Sequence, residues 1–459
     1  MKIVDLIRKN NNLKYIDSES GKELTFDQIL SCELNIVDQK KLVFLYLDNS
    51  LDSIIALWNF INSNHAVALL SPQINKEFKE NFEEIYKPYY IFDKTRTELK
   101  DYKDKLFVHG LKIFESENDI NSEIHADLKL MLSTSGTTGS PKFVKLSENN
   151  LVNNALSIID YLPIVKDDVT PLNLPVYYSY GLSILTSNSI VGGSVICTNK
   201  DILMKEFWTD FSKFGFTSIA GVPFVYETLY RIGFTKNKYP SLRYLTQAGG
   251  KLNEKMVNLF AEYSKLENKL FFVMYGQTEA TARISYLEPE KLLEKSGSIG
   301  KPIKNGEFII DNDTGELQYK GPNVFGGYAS KRIDLKSFDN QQLLKTGDLG
   351  RVDEDGYYYI TGRLKRFIKI FGIRINLDDI ETLLKNHFTG NTFVTIGIDD
   401  KQLFVGVNTK NVNKNDIIDF IVNKLDIHPS AIKVDFIENI PLTANGKIDY
   451  NAIYEKYKY

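Results

Sequence analysis

Ser133-Thr134-Ser135-Gly136-Thr137-Thr138-Gly139-Ser140-Pro141-Lys142 follows directly on the apolar run Leu128–Leu132. A strand that opens into small hydroxyl residues, two glycines and a lysine is chemically suited to phosphate. Glycines let main-chain N–H groups approach phosphate oxygens, hydroxyls donate further hydrogen bonds, and Lys142 adds positive charge. The Walker P-loop is excluded, because it needs four residues between its first glycine and Gly-Lys-Ser/Thr. Gly136 and Gly139 are too close for that. A generic cluster of Ser, Thr and Gly reads simply as a loop. The Pro-Lys ending makes this one less generic.

Outward from this loop, strand-like and helix-like segments alternate. Leu42–Leu47 reads as a buried strand, Asp52–Ile61 as a helix and Ala66–Leu70 as a strand. The rhythm returns with a strand at Ser241–Thr246, a helix at Asn253–Tyr263 and a strand at Leu270–Met274. Such alternation predicts an α/β fold of parallel sheets covered by helices. Ligands then collect in loops beyond the strand C-termini, here those after Leu128–Leu132 and Phe271–Met274.

The pattern changes near residue 360. Leu349–Ile360 reads as a hairpin turning at Asp353-Glu354-Asp355-Gly356, followed by the basic stretch Arg363–Arg374. That charge run reads by default as a solvated face. Beyond it come a helix that Asn376 can cap, strands Phe393–Ile398 and Leu403–Val407, and a helix near Asp416–Leu425. The expected organisation is a large domain over residues 1–363 and a small α+β domain over residues 364–459.

The 459 residues are too many for one ordinary core. Lys plus Arg number 56 against 59 Asp plus Glu, so no net field favours nucleic acid or an anionic membrane. Two distant cysteines, Cys32 and Cys197, argue against a disulfide framework or zinc site and fit a reducing compartment. With no signal-peptide pattern at Met1-Lys2-Ile3-Val4-Asp5 and no apolar run long enough to span a bilayer, a cytoplasmic enzyme is expected.

Further segments complete the reading. Tyr275-Gly276-Gln277-Thr278-Glu279, Thr346-Gly347-Asp348, Gly362-Arg363-Leu364-Lys365 and Pro441-Leu442-Thr443-Ala444-Asn445-Gly446-Lys447 follow the first loop in order. Together these five segments resemble the adenylate-forming superfamily of acyl-CoA synthetases, peptide-synthetase adenylation domains and firefly luciferase. The resemblance extends over essentially the whole chain. It implies ATP-dependent activation of a small carboxylic acid as an acyl-adenylate, with Mg²⁺, followed by transfer to the thiol of CoA. A carrier protein's phosphopantetheine is the alternative acceptor, and a catalytically silent nucleotide binder is a rival from another class. Such a binder is expected to have lost its lysine, glutamate or ribose aspartate, and all three are present.

The resemblance also implies roles. Lys447 bridges the attacking carboxylate and the α-phosphate, with Thr278 and Glu279 completing the catalytic set. Glu279 holds Mg²⁺, as a hard oxygen ligand suits. Thr134, Ser135, Gly136, Thr137, Thr138, Gly139 and Lys142 cradle phosphates, Tyr275, Gly249 and Gly250 cradle adenine, Gly276 belongs to the same ATP-binding set, and Thr278 also bonds the α-phosphate. Asp348 holds the ribose, and Arg363 supports the same ribose or the neighbouring phosphate. Lys365 is the hinge about which the small domain swings, and Phe371-Gly372 line the tunnel for the acceptor thiol. The acyl pocket is Tyr177, Tyr178, Val222, Phe224, Gln247 and Gly249, a mixture of rings and polar tips suited to a small or polar acid.

Two positions depart from the pattern. Phe143 stands where the family usually has glycine, and Tyr178 stands where many members have histidine. No aspartate follows Tyr177, which lowers the case for an α-amino acid substrate.

Overall fold

Every residue of the strands Leu42–Tyr46 and Ala66–Leu70 is buried. Strands apolar on both faces need cover on both, which helical crossovers between parallel strands supply. The computed structural model describes residues 1–30, 39–118, 123–133, 142–340, 343–364, 366–370, 373–398, 401–409, 411–425, 427–443 and 447–457. In it these two strands pair in parallel, joined through helix Leu51–Asn62. Ser50 caps that helix, its hydroxyl accepting from Ser53 N.

Tyr90–Asp93 and Leu130–Ser133 extend the parallel core on either side. Antiparallel strands complete an eight-stranded sheet, with Phe143–Leu146 and Tyr328–Ala329 beyond Leu130–Ser133. Phe143 is wholly buried and packs against the rings of Phe44, Phe82 and Tyr86. The departure from glycine therefore gives this strand a core anchor.

A second sheet runs Ser218–Gly221, Tyr244–Gln247, Leu270–Tyr275, Ser285–Leu287 and Lys301–Pro302. Its first three strands are parallel, so their C-terminal ends lie together. The middle strand starts three residues later than the periodicity predicts. Pairing with Ser218 begins at Tyr244, and the preceding Arg243 instead reaches the buried Asp168. A third sheet holds Val169–Pro171, Ser194–Cys197, Lys14–Asp17 and Glu23–Thr25.

The described residues pack as two compact units. The first takes the chain up to Glu307 together with Tyr319–Leu344, and the second takes Phe308–Gln318 and the chain from Lys345 onward. The hairpin Leu343–Val352 and Tyr358–Arg363 turns at Asp353–Gly356, as expected. In the second unit helix Leu377–His387 follows Asn376 directly, and Phe393–Ile398, Gln402–Val407 and Ile432–Phe436 form a three-stranded sheet. The basic stretch is not simply solvated. The Arg366 side chain is 12% exposed, pairs with Asp378 and Glu381 at 2.8 Å each, and lies over the Tyr450 ring. Its core position requires those acidic partners from the following helix. No described helix is long and apolar enough to cross a membrane.

Asp93 ends one central strand as the hub of a buried ion cluster. Its carboxylate accepts from Lys79 at 2.7 Å, Arg96 at 2.8 Å and Thr95. Burial alone would raise its pKa, but these donors outweigh burial and hold it below the usual carboxylate range. A depressed native pKa contributes stability above the unfolded value of about 3.9 that is lost as pH falls through the native one. We expect Asp93→Ala to cost about 3–5 kcal/mol by stranding buried cations. In urea unfolding, Asp93→Asn should flatten the acid limb of the stability profile; an acid limb identical to wild type would contradict the assignment.

Candidate active site

Three loops that carry predicted site residues leave the C-terminal ends of the three parallel strands of the second sheet. Val222-Pro223 follows Ser218–Gly221, Ala248-Gly249-Gly250 follows Tyr244–Gln247, and the turn from Gly276 follows Leu270–Tyr275. Strand direction alone therefore gathers segments more than fifty residues apart.

Gly249 has φ +84°, a conformation costly for any residue with a Cβ. A Cβ built there meets the Tyr178 hydroxyl and Val222 Cγ1, each at 3.1 Å. Tyr178, Val222 and Gly249, three of the residues expected to form the acyl pocket, are thus brought together. Gln247 is buried, and its amide donates to the Gly250 carbonyl at 2.9 Å, bracing its own loop. Phe224 is 40% exposed on the first turn of helix Pro223–Arg231, and Tyr177 is half-buried.

At Gly276 a Cβ would lie 1.8 Å from the Ala282 carbonyl oxygen. The turn folds back so closely because Ile284 N donates to Tyr275 O at 2.9 Å, starting the antiparallel strand. Within it Thr281 has φ +67°, a strained conformation for a β-branched residue. Its hydroxyl donates to Asn323 O, and the Asn323 amide donates to the Ala280 and Arg283 carbonyls. These bonds over-determine the strained backbone.

The short helical turn Thr278–Ala280 presents the two predicted catalytic groups of this unit. Thr278 Oγ1 lies 3.4 Å from Ser179 Oγ, at the start of helix Ser179–Val191. Glu279 Oε1 accepts from the Tyr328 hydroxyl at 2.8 Å, and its carbonyl accepts from Phe325 N at 2.9 Å. Lys142 Nζ sits 3.4 Å from the centre of the same Tyr328 ring. Tyr328 thus joins a predicted phosphate lysine to the predicted metal carboxylate, a cation–π contact on one side and a hydrogen bond on the other. Burial, then the Glu279 charge, pushes the Tyr328 phenol well above its usual pKa, so it remains a donor. Tyr275 lies half-buried, its hydroxyl accepting from Gln277 Nε2 at 3.2 Å.

In the second unit, Asp348 and Arg363 face each other across the hairpin and approach at 3.4 Å. Asp348 is buried, whereas the Arg363 side chain is 59% exposed. Gly347, at φ +73°, donates its N–H to Glu316 Oε1 and fixes the turn that places Asp348. Lys447 follows a small closed turn, with Thr443 N donating to Lys447 O at 2.7 Å and Lys447 N to Thr443 Oγ1 at 3.2 Å. Thr134, Ser135, Gly136, Thr137, Thr138, Gly139, Lys365, Phe371 and Gly372 lie outside the described residues.

Magnesium suits this donor set. It takes one or two carboxylates and fills its octahedron with phosphate oxygens and water. Glu279 is such a carboxylate, held by Tyr328 through one oxygen. Among the described residues no cluster of three or more His, Cys, Asp or Glu side chains forms an all-protein cage, the other style of site. Tyr328, Ser179 and Asn323 were not foreseen. Tyr328 stands 49 residues from Glu279, beyond the reach of any local spacing.

The family model of the AMP-binding enzymes matches residues 30–329. The chain belongs to that family. It is an AMP-forming acid–thiol ligase, using ATP to activate a carboxylic acid through an acyl-adenylate. It is 28% identical over 350 residues to the oxalate–CoA ligase of Arabidopsis thaliana, covering 71% of this chain and 67% of that protein. With the 2-succinylbenzoate–CoA ligase of Staphylococcus epidermidis it shares 26% identity over 440 residues, 92% of this chain and 89% of that one. In fold it is similar to the O-succinylbenzoate coenzyme A synthetase of Bacillus subtilis in complex with ATP and magnesium ion. That match has a TM-score of 0.76 at 22% identity and covers 97% of this chain and 98% of the other.

The fit at Gly276 yields a prediction. Gly276→Ala should cost about 1–3 kcal/mol through overpacking against the Ala282 carbonyl. Thermal unfolding should show a lowered midpoint; an unchanged midpoint would mean that the turn relaxes freely.

Proposed function

We propose that this enzyme activates a small or polar carboxylic acid and that its residues divide the work as follows. The acid's carboxylate oxygen attacks the α-phosphorus of ATP, the bond to the pyrophosphate oxygen breaks, and pyrophosphate departs. A thiolate then attacks the acyl carbon of the mixed anhydride and AMP leaves. Carboxylate and triphosphate repel, so positioned positive charge and fixed geometry carry the first step.

Lys447 supplies that charge at the carboxylate and α-phosphate, and Thr278 donates to the α-phosphate through its hydroxyl. Lys142 and the loop Thr134–Gly139 receive the outer phosphates. Adenine lies on the Tyr275 face beside Gly249 and Gly250, where absent side chains leave room. Asp348 accepts from the ribose hydroxyls, supported by Arg363. When bound, magnesium neutralises phosphate charge, and Glu279 is the carboxylate that would hold it. Tyr177, Tyr178, Val222, Phe224, Gln247 and Gly249 enclose the acyl group. The convergence of Tyr178, Val222 and Gly249 at the same strand ends as the Thr278–Glu279 turn is the observation that carries this reading.

For the second step, residues 364–459 swing about Lys365, withdrawing Lys447 and presenting Phe371-Gly372 to the thiol. CoA is the acceptor; a carrier protein's phosphopantetheine offers the same thiol and is the second reading. A cytoplasmic setting is the compartment we assign to this chemistry, and the buried Cys197 thiol is free among the described residues.

Pyrophosphate release with ATP, Mg²⁺ and a panel including oxalate and 2-succinylbenzoate, with and without CoA, tests this function. Acid-dependent release with thioester formation on CoA supports it, and release without transfer to CoA favours the carrier. A panel giving no release, from a protein that fails to bind ATP, would sink it. Lys447→Ala should slow adenylation about 10²–10³-fold yet leave a supplied acyl-adenylate competent for thiol transfer. Equal loss of both half-reactions would remove Lys447 from its role. Asp348→Ala should weaken ATP binding, and unchanged affinity would remove it from the ribose site.

A further inference from the structure

The buried cations of the first unit are well supplied with acceptors. Lys79 pairs with Asp93, Lys129 donates to the Phe60, Ser63 and His65 carbonyls, and Lys269 donates to the Tyr239 and Leu242 carbonyls. Arg283 is different. It is 2% exposed, yet no carboxylate pairs with it among the described residues. Its Nη2 donates to Ser183 Oγ at 3.2 Å, its guanidinium lies 4.6 Å from the Tyr180 ring centre, and the Tyr161 phenol is beside it. Its Nε has no hydrogen-bond partner among the described residues.

Arg283 lines a pocket together with Asn173, Tyr180, Ser183, Thr246 and Met274. A second unsatisfied atom lies in the same wall: Asn173 Oδ1 is buried without a partner among the described residues, while its Nδ2 donates to Ala220 O at 2.6 Å. Several of the pocket's lining residues are neighbours in sequence of residues assigned above to the acyl and nucleotide sites. Tyr180 follows Tyr178 by two residues, Thr246 precedes Gln247, Met274 precedes Tyr275, and Tyr178 packs on the cluster containing Tyr180 and Met274.

A buried guanidinium without a counter-ion is costly, and stacking on one phenol offsets only part of that cost. A trapped water would satisfy Nε and the Asn173 oxygen but bring no negative charge. An anion forked by the guanidinium supplies both charge and geometry. From this we infer that Arg283 binds a second, distal carboxylate of the substrate, so that the acid activated is a dicarboxylic acid. One carboxylate goes to the α-phosphorus, and the other stays ionised on Arg283. The inference rests on the acid-activation reading and narrows its substrate class.

The test compares kcat/KM for pyrophosphate release with succinate, glutarate and adipate against their monoamides, which keep length and shape but lose the distal charge. The expected result is a preference of about 10²-fold or more for a dicarboxylate, as a site built for a polar group rejects its absence. Arg283→Met should erase that preference through KM, and Arg283→Lys should retain part of it. The wild-type ratio stands without any variant, so misfolding of a variant does not shield the inference. Comparable use of the monoamides, or a ratio unchanged in Arg283→Met, would overturn it and leave acid activation standing. Absence of release with every acid would overturn the acid-activation reading and the subsite with it.

Discussion

Parallel pairing of Ser218–Gly221, Tyr244–Gln247 and Leu270–Tyr275 is the constraint on which the first unit's share of the site depends. Parallel strands end on the same side of a sheet, so each loop leaving them faces the same space. One loop is held open by a glycine in the left-handed region, Gly249. Another is drawn tight by a backbone contact at Gly276 that leaves no room for a side chain. The small residues are thus tied to a close approach between main chains, and the chemically active ones to the turns those approaches create.

Electrostatics explains the placement of the remaining groups. Joining a carboxylate to a triphosphate requires charge compensation without loss of orientation. Tyr328 serves both needs in the first unit, since it fixes Glu279 by a hydrogen bond while its ring faces Lys142. In the second unit the pairing of Asp348 with Arg363 across a hairpin leaves the aspartate buried and oriented. Arg283 fits the same logic from the opposite direction. Its charge is buried and oriented on Ser183 and the Tyr180 ring, and the proposed distal carboxylate would supply the counter-charge.

Local chemistry was legible in the sequence wherever it depended on neighbours along the chain. The alternation around Leu42–Leu70 reads directly as strand, helix and strand, and the hairpin at Asp353–Gly356 announces itself through its turn residues. The segment Tyr275–Glu279 was likewise visible, as was its position after a strand. Features that depend on distant partners were not. Periodicity does not say that Arg366 meets Asp378, Glu381 and Tyr450, so its charge read as solvated. Nor does spacing join Tyr328 to Glu279, or reveal that Arg283 enters a pocket shared with Asn173. Such contacts are set by sheet order and register, which a linear pattern leaves open.

The central claim is that a carboxylate oxygen attacks the α-phosphorus of ATP. It is tested most directly by supplying the preferred acid labelled with ¹⁸O in its carboxylates and analysing the products by mass spectrometry. The account predicts one ¹⁸O transferred to AMP when the acyl-adenylate is resolved by the thiol, with unlabelled pyrophosphate. Label in pyrophosphate or phosphate, or AMP formed without label, would contradict it.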